Sequence, residues 1–198
     1  KKKEDADINK IYLWIKRCDK KIEKINIPEY LSSNLTLLLK ELEIIRNKKF
    51  NEEELIRLFN KYGIYLVIED ALNGTKIRGC TMVKNNNPCI YITRYFKEKA
   101  SFYFTLYHEI GHIKSDYNKL KNKIMVNNEE TSEKEMDNFA LNQMIPDNIW
   151  NNVKIDPLEK EKICKDNNIP LCFLYSRLAY EGIISYKSKE YNNHKEVI

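Results

Sequence analysis

The spacing of apolar residues changes along this chain. In the first sixty residues apolar positions recur every three or four residues, which predicts three helices in a helical N-terminal region, residues 1–62. Ser32 or Ser33 is expected to cap the second helix and Asn51 the third, with Gly63 ending the third.

After Gly63 the pattern becomes that of short strands. GIYLVIED, IRGCTMV and CIYIT are rich in β-branched and aromatic residues, and turn residues separate them. The Asn73-Gly74 pair between the first two segments is a hairpin signal. A small three-stranded sheet, antiparallel in its pairing, is therefore predicted.

Helical spacing returns in the second half. KEKASFYFTLYHEIGHIKS and SEKEMDNFALNQMI are predicted helices, and Pro146 stops the second. Within the C-terminal segment 151–198, the stretch 156–186 is predicted to hold two short helices that are joined by a tight turn and end at Gly182. These elements indicate an α+β fold with a core over 63–150 and a C-terminal helical segment, helix-turn-helix-like and packed on that core.

Composition narrows the classes of function. The chain is 42% apolar and 32% charged, as expected of a soluble globular protein, and no apolar run reaches the length of a membrane span. The net charge of +5 comes mostly from lysines mixed with glutamates, a weak signal for nucleic acid. Five cysteines without a C-x-x-C pair favour a reducing, cytoplasmic location, with Cys80 and Cys89 as buried thiols.

The strongest chemical signal is the motif HEIGH. Residues four apart share one helix face, so His108 and His112 can direct their imidazoles at one metal ion, with Glu109 beside it as a general base. Gly111 permits another segment to approach closely. The alternative is a helix that carries two histidines by chance. The apolar lead-in FYFTLY and the total of three histidines count against it.

A catalytic zinc site needs a third protein ligand. The remaining histidine, His194, lies in a polar tail and is expected to be solvated. The later glycine and histidine of the metzincin pattern are absent, which excludes that class. The ligand should therefore be a carboxylate on a nearby helix.

The helix SEKEMDNFALNQMI supplies such carboxylates. Glu133 and Asp137 share a face, whereas Glu135 points about 200° away from Glu133. One face of this helix can therefore supply both a ligand, Glu133, and an acceptor, Asp137, that orients His108 or His112 through its second ring nitrogen. Glu129 and Glu130, just upstream, remain alternatives.

The order FTLYHEIGH and then EKEMDNFALNQMIP resembles the ImmA/IrrE family of zinc peptidases over roughly Gly63 to Gly182. Met136 stands where that family usually has alanine. The resemblance implies a zincin-like fold, one zinc ion held by His108, His112 and Glu133, and cleavage of a helix-turn-helix repressor of a mobile element, phage or stress response. It also implies a strand that pairs with an extended substrate, and CIYIT is the expected edge.

In this mechanism Glu109 accepts a proton from water and passes it to the leaving amine. A donor to the oxyanion is expected as well. Four tyrosines near the motif in sequence are equal candidates for that donor: Tyr91, Tyr95, Tyr103 and Tyr107.

Two other functions are compatible with the sequence. One is a regulator that binds a partner without proteolysis, for which the intact Glu109 would be unnecessary. The other is a DNA-binding protein with a structural metal, which needs a fourth protein ligand. As a DNA reader the C-terminal segment offers only Arg177, Lys162 and Lys165, and packing or substrate docking is preferred for it.

Overall fold

The structure is a computed structural model of the chain, and it describes residues 7–121 and 130–198. In that part of the chain the fold is α+β, with nine α-helices and one three-stranded sheet. In chain order the elements are α1 (Ile8–Ile22), α2 (Leu35–Ile45), α3 (Glu52–Lys61), β1 (Tyr65–Ile68), β2 (Gly79–Lys84), β3 (Asn87–Ile92), α4 (Lys99–Leu120), α5 (Glu130–Met144), α6 (Asp147–Ile155), α7 (Lys160–Asp166), α8 (Leu171–Tyr180) and α9 (Lys189–His194).

The chain divides into two compact units. The first comprises Lys1–Leu42, Asn51–Phe96 and His112–Asn128, and the second comprises Glu43–Phe50, Lys97–Gly111 and Glu129–Ile198. The division falls within α4, which continues through it as one unbroken helix. The predicted division at residues 62 and 150 stays a prediction.

The sheet of the first unit is mixed, so the predicted antiparallel sheet is wrong. Its order is β1-β3-β2, with β3 parallel to β1 and antiparallel to β2. The hairpin joins β2 to β3 through Asn85 and Asn86, whose φ angles of 49° and 65° suit a tight turn between antiparallel strands. Of the Asn73-Gly74 pair, only Gly74 has a positive φ. Because β3 is central, CIYIT is not an edge strand.

Helix α1 buries part of this sheet. Its apolar face, Trp14, Cys18 and Ile22, belongs to one hydrophobic cluster with side chains from all three strands: Val67, Met82, Cys89 and Tyr91. The Tyr91 hydroxyl also donates a hydrogen bond to Asp19 of α1 at 2.9 Å. The N-terminal helix is therefore part of the core of the first unit.

The predicted ends of the helices were partly correct. Asn51 caps α3 by accepting a hydrogen bond from the Glu54 amide at 3.0 Å. Gly63 follows α3 with a φ of 75°, and a Cβ there would lie 2.8 Å from the Tyr30 backbone, so both conformation and space require glycine. Ser32 and Ser33 lie inside a 3₁₀ turn before α2, and the residue at the N-cap of that turn is Leu31, contrary to expectation.

In the second unit, two buried arginines hold the C-terminal end of α5. The Arg46 guanidinium donates to the carbonyl of Gln143 at 2.6 Å, and that of Arg177, on α8, donates to the carbonyl of Leu141 at 3.1 Å. The last carbonyls of a helix have no partner within the helix and carry partial negative charge. Cations from two distant parts of the sequence thus satisfy the end of α5.

All five cysteines are free thiols, and Cys80 and Cys89 lie opposite Tyr91 and Met82 respectively in the β2–β3 pair. Among the residues that the structure describes, no helix combines the length and apolar character needed to cross a membrane.

Candidate metal centre

Helix α4 carries the motif HEIGH in its middle. Tyr107, Ile110 and Gly111 are buried, so this face of α4 packs into the protein. His108 is half-buried and His112 is buried. The two imidazoles are four residues apart on one continuous helix, and they therefore leave the same face about one turn apart.

Gly111 allows α5 to lie against α4. A Cβ at Gly111 would be 2.7 Å from the Met136 Sδ and 3.2 Å from the Phe139 Cδ1, both on α5. Any side chain larger than that of glycine would clash with α5 next to the predicted ligands. The close approach expected from the sequence is confirmed.

Two carboxylates of α5 contact His108. Its Nδ1 is 2.8 Å from the Asp137 Oδ1, a hydrogen bond in which the ring N–H donates. Its Nε2 is 3.2 Å from the Glu133 Oε2. A carboxylate can only accept, so this hydrogen bond needs the proton on Nδ1, and Nε2, which faces Glu133, is then the nitrogen available to a metal ion.

The charge around His108 is negative. Burial lowers the pKa of its imidazole, but the hydrogen bond to Asp137 and the charges of Glu109 and Glu133 outweigh burial, so the pKa is raised above its ordinary value. The same carboxylates would attract a divalent cation.

His108, His112 and Glu133 form a group that could hold a metal ion. One ligand atom from each lies within 4.8 Å of the others. Two imidazoles and one carboxylate are a donor set of catalytic zinc sites, in which the fourth position is left open. Glu135 is exposed, as expected of the opposite face of α5. Glu129 lies outside the described residues, as does the side chain of Glu130.

A further carboxylate, which the sequence did not single out, lies beside His112. The Oδ2 of Asp116, one helical turn later on α4, is 3.7 Å from the His112 Nδ1, and both side chains are buried. The i,i+4 spacing of His112 and Asp116 was the available signal. This signal was missed because the surrounding sequence IKSDYN is polar and is typical of the end of a helix.

Glu109 is also buried. It precedes His112 by three residues on α4 and contributes a charge that acts on His108. An ionised carboxylate at this point of the motif lies next to the candidate ligands and can accept a proton there.

Most of the candidate oxyanion donors belong to the core. Tyr91, Tyr103 and Tyr107 are buried, and the Tyr91 hydroxyl is used on Asp19. Tyr95 is exposed and packs edge-on against Phe96. None of these contacts identifies one of the four tyrosines as the oxyanion donor.

The C-terminal segment has structural tasks. Arg177, proposed for a DNA reader, is buried, spans the end of α5 and lies over the Trp150 ring at 4.9 Å. His194 ends α9 and stacks on the Tyr175 ring, with 3.8 Å between the centroids. It is therefore a packed residue and not the solvated tail residue that was expected.

Comparison of the chain with protein-family models, with curated proteins and with solved structures gave no match. The resemblance to the ImmA/IrrE peptidases consequently rests on the two motifs alone and stays a prediction.

Proposed function

We propose that this protein is a zinc-dependent endopeptidase with a zincin-like fold. One observation carries the proposal: His108, His112 and Glu133 bring ligand atoms within 4.8 Å of one another, while Asp137 bonds the second ring nitrogen of His108. A catalytic zinc site has this composition and this second layer of hydrogen bonding.

The residues of the chain would have distinct tasks. His108, His112 and Glu133 would hold the ion, and Asp137 would orient His108. In such a site zinc supplies acidification of water and polarisation of the scissile carbonyl. Glu109 would take the proton of the attacking water and return it to the leaving amine.

The proposed substrate is a helix-turn-helix repressor, cleaved at one site. This part of the proposal rests on the resemblance of FTLYHEIGH and EKEMDNFALNQMIP to the ImmA/IrrE motifs. The burial of Arg177 supports it against the DNA-binding alternative, because the arginine that such a reader would need is used inside the protein.

Metal content is the first test. Purified without chelators, the chain should contain about one zinc ion. Glu133→Ala should lose most of it, whereas the matched control Glu135→Ala, an exposed carboxylate on the same helix, should retain it. A folded chain that takes up no zinc, or equal zinc in both variants, would contradict the three-residue site.

Glu109→Gln tests the reaction. This change should keep zinc and abolish cleavage of a repressor encoded beside the gene, since the amide cannot accept the proton. If both the parent and the variant bind zinc but neither cleaves the repressor, the result would favour the non-proteolytic binding module. Cleavage retained in Glu109→Gln would refute its role as the base.

A further inference from the structure

We propose that Asp116 is a positioning residue for His112. Its carboxylate holds the proton of the imidazole on Nδ1, so that Nε2 is presented to the metal, as Asp137 does for His108. This inference deepens the proposed function and rests on it for the identity of the ligand, although the tautomer of His112 can be tested without metal.

The geometry of the two histidines is parallel. In each, a carboxylate faces Nδ1: Asp137 at 2.8 Å from His108, and Asp116 at 3.7 Å from His112. The second distance is longer than a direct hydrogen bond, so the attraction there is electrostatic or passes through a water molecule. Both nitrogen–carboxylate pairs therefore favour the proton on the same ring atom.

Burial makes the Asp116 contact effective despite its length. The side chains of His112 and Asp116 are 8% and 6% exposed, whereas that of Asp137 is 38% exposed. Charges removed from solvent are screened less, and their interaction reaches further than it does at a surface.

The other oxygen of Asp116 explains how a charge is tolerated there. Its Oδ1 accepts a hydrogen bond from the Lys119 ammonium at 2.8 Å, and the Lys119 side chain is 73% exposed. A pair with an exposed lysine at i,i+3 contributes little to stability and does not require a buried carboxylate. The second oxygen, Oδ2, faces His112 and can act on its Nδ1.

The consequence for metal binding follows from the chemistry of imidazole. A neutral ring has one N–H and one lone pair, and a carboxylate near Nδ1 selects the form with the lone pair on Nε2. It also limits rotation of the ring and makes Nε2 a stronger donor. Loss of such an orienting group typically weakens metal binding by about 10–100-fold.

The test compares three substitutions on the intact chain. Asp116→Asn keeps the shape and removes the charge, Lys119→Met removes the partner and keeps Asp116, and Asp137→Asn is the reference for a known contact to His108. Zinc affinity is measured by competition with a chelator. We expect Asp116→Asn to weaken binding by about 10–100-fold and Lys119→Met by less than about threefold.

A merely structural role would give a different pattern. If Asp116 only anchored the helix through Lys119, both substitutions would weaken zinc binding equally, and that result would overturn the proposal. Unchanged affinity in Asp116→Asn would also overturn it. In either case zinc bound by the parent chain would leave the proposed function standing.

Ring ¹⁵N spectra of the metal-free protein provide a second readout. With three histidines in the chain, the nitrogen signals can be assigned individually. We expect His112 to carry its proton on Nδ1 in the parent chain and to lose that preference in Asp116→Asn. A parent His112 with its proton on Nε2 refutes the inference even if every variant fails to fold or no zinc is bound.

Discussion

Replacing Gly111 by alanine adds one methyl group between α4 and α5 beside the candidate ligands. In an exposed helix the change would stabilise the protein by about 1 kcal/mol, because alanine is the better helix former. Here the new Cβ would lie 2.7 Å from the Met136 Sδ and 3.2 Å from the Phe139 Cδ1. Both distances are shorter than normal van der Waals contact, so α5 or its side chains must move.

The cost of this movement outweighs the gain in helix propensity. Met136 is 3% exposed, so its thioether has little free space to enter, and overpacking of buried sites costs about 1–3 kcal/mol. Subtracting the gain of about 1 kcal/mol leaves a net destabilisation of about 1 kcal/mol. In a Met136→Ala background the closest atom is gone and only the 3.2 Å contact with Phe139 remains, so Gly111→Ala should stabilise by up to about 1 kcal/mol. The sign of the effect should therefore reverse.

The assay is urea unfolding of the parent, both single variants and the double variant. Unfolding is measured on metal-free protein, so that bound zinc does not add to the stability. The double-mutant cycle should give a coupling of about 2 kcal/mol between the two positions. Zinc affinity should fall in Gly111→Ala, because displaced α5 carries Glu133 and Asp137, and recover in the double variant. Stabilisation by Gly111→Ala in the parent background would refute the packing argument.

Three further predictions concern pH, a buried cation and thiols. Because the hydrogen bond to Asp137 and the nearby carboxylates raise the pKa of His108, protons should compete with zinc from a higher pH than for an ordinary histidine. Chelator competition should show zinc affinity falling as the pH is lowered, and an affinity independent of pH contradicts this. Arg177→Met should lower the free energy of unfolding by about 2–3 kcal/mol, because the Leu141 carbonyl loses its charged donor. The control is Lys165→Met, which removes an exposed cation, and equal stability of the two variants would show that the Leu141 contact is unimportant. A thiol reagent at neutral pH should modify Cys80 first, because Cys80 is only half-buried, whereas burial raises the pKa of the other four cysteines to about 11 or 12. Rapid modification of several thiols in the folded protein would contradict the fold.

Features fixed by nearby residues were predicted well from the sequence. The Asn51 cap depends on an amide three residues away, and the shared face of Glu133 and Asp137 depends only on the period of a helix. The same period placed His108 and His112 on one face of α4. Each of these signals lies within about one turn of the chain.

The sheet shows where local signals fail. Asn73-Gly74 is a common hairpin dipeptide, yet the strands on either side of it do not pair, and the hairpin forms instead at Asn85-Asn86. Tyr65 pairs with Cys89 in parallel, a contact set by packing across the fold and not by any turn. Strand order is decided by such distant contacts, which dipeptide signals do not contain.

Burial of charged residues was the other difficulty. The sequence marks Arg177 only as a cation available to a DNA reader, and it does not mark Asp116, which lies in a polar stretch; both are buried. Charged groups enter a core only where specific partners receive them. Those partners, the α5 carbonyls and His112, become visible only in three dimensions.

The arginines at the end of α5 also bear on how the protein matures during synthesis. Arg46 leaves the ribosome before α5, but Arg177 follows Leu141 by 36 residues. Glu133 and Asp137 therefore leave the ribosome before the second cation that contacts the end of their helix. Chains grow from the N-terminus, and a domain completes folding only when all its segments have emerged. If the proposed site binds zinc, we expect its stable capture to be among the last steps in synthesis, after α8 has docked.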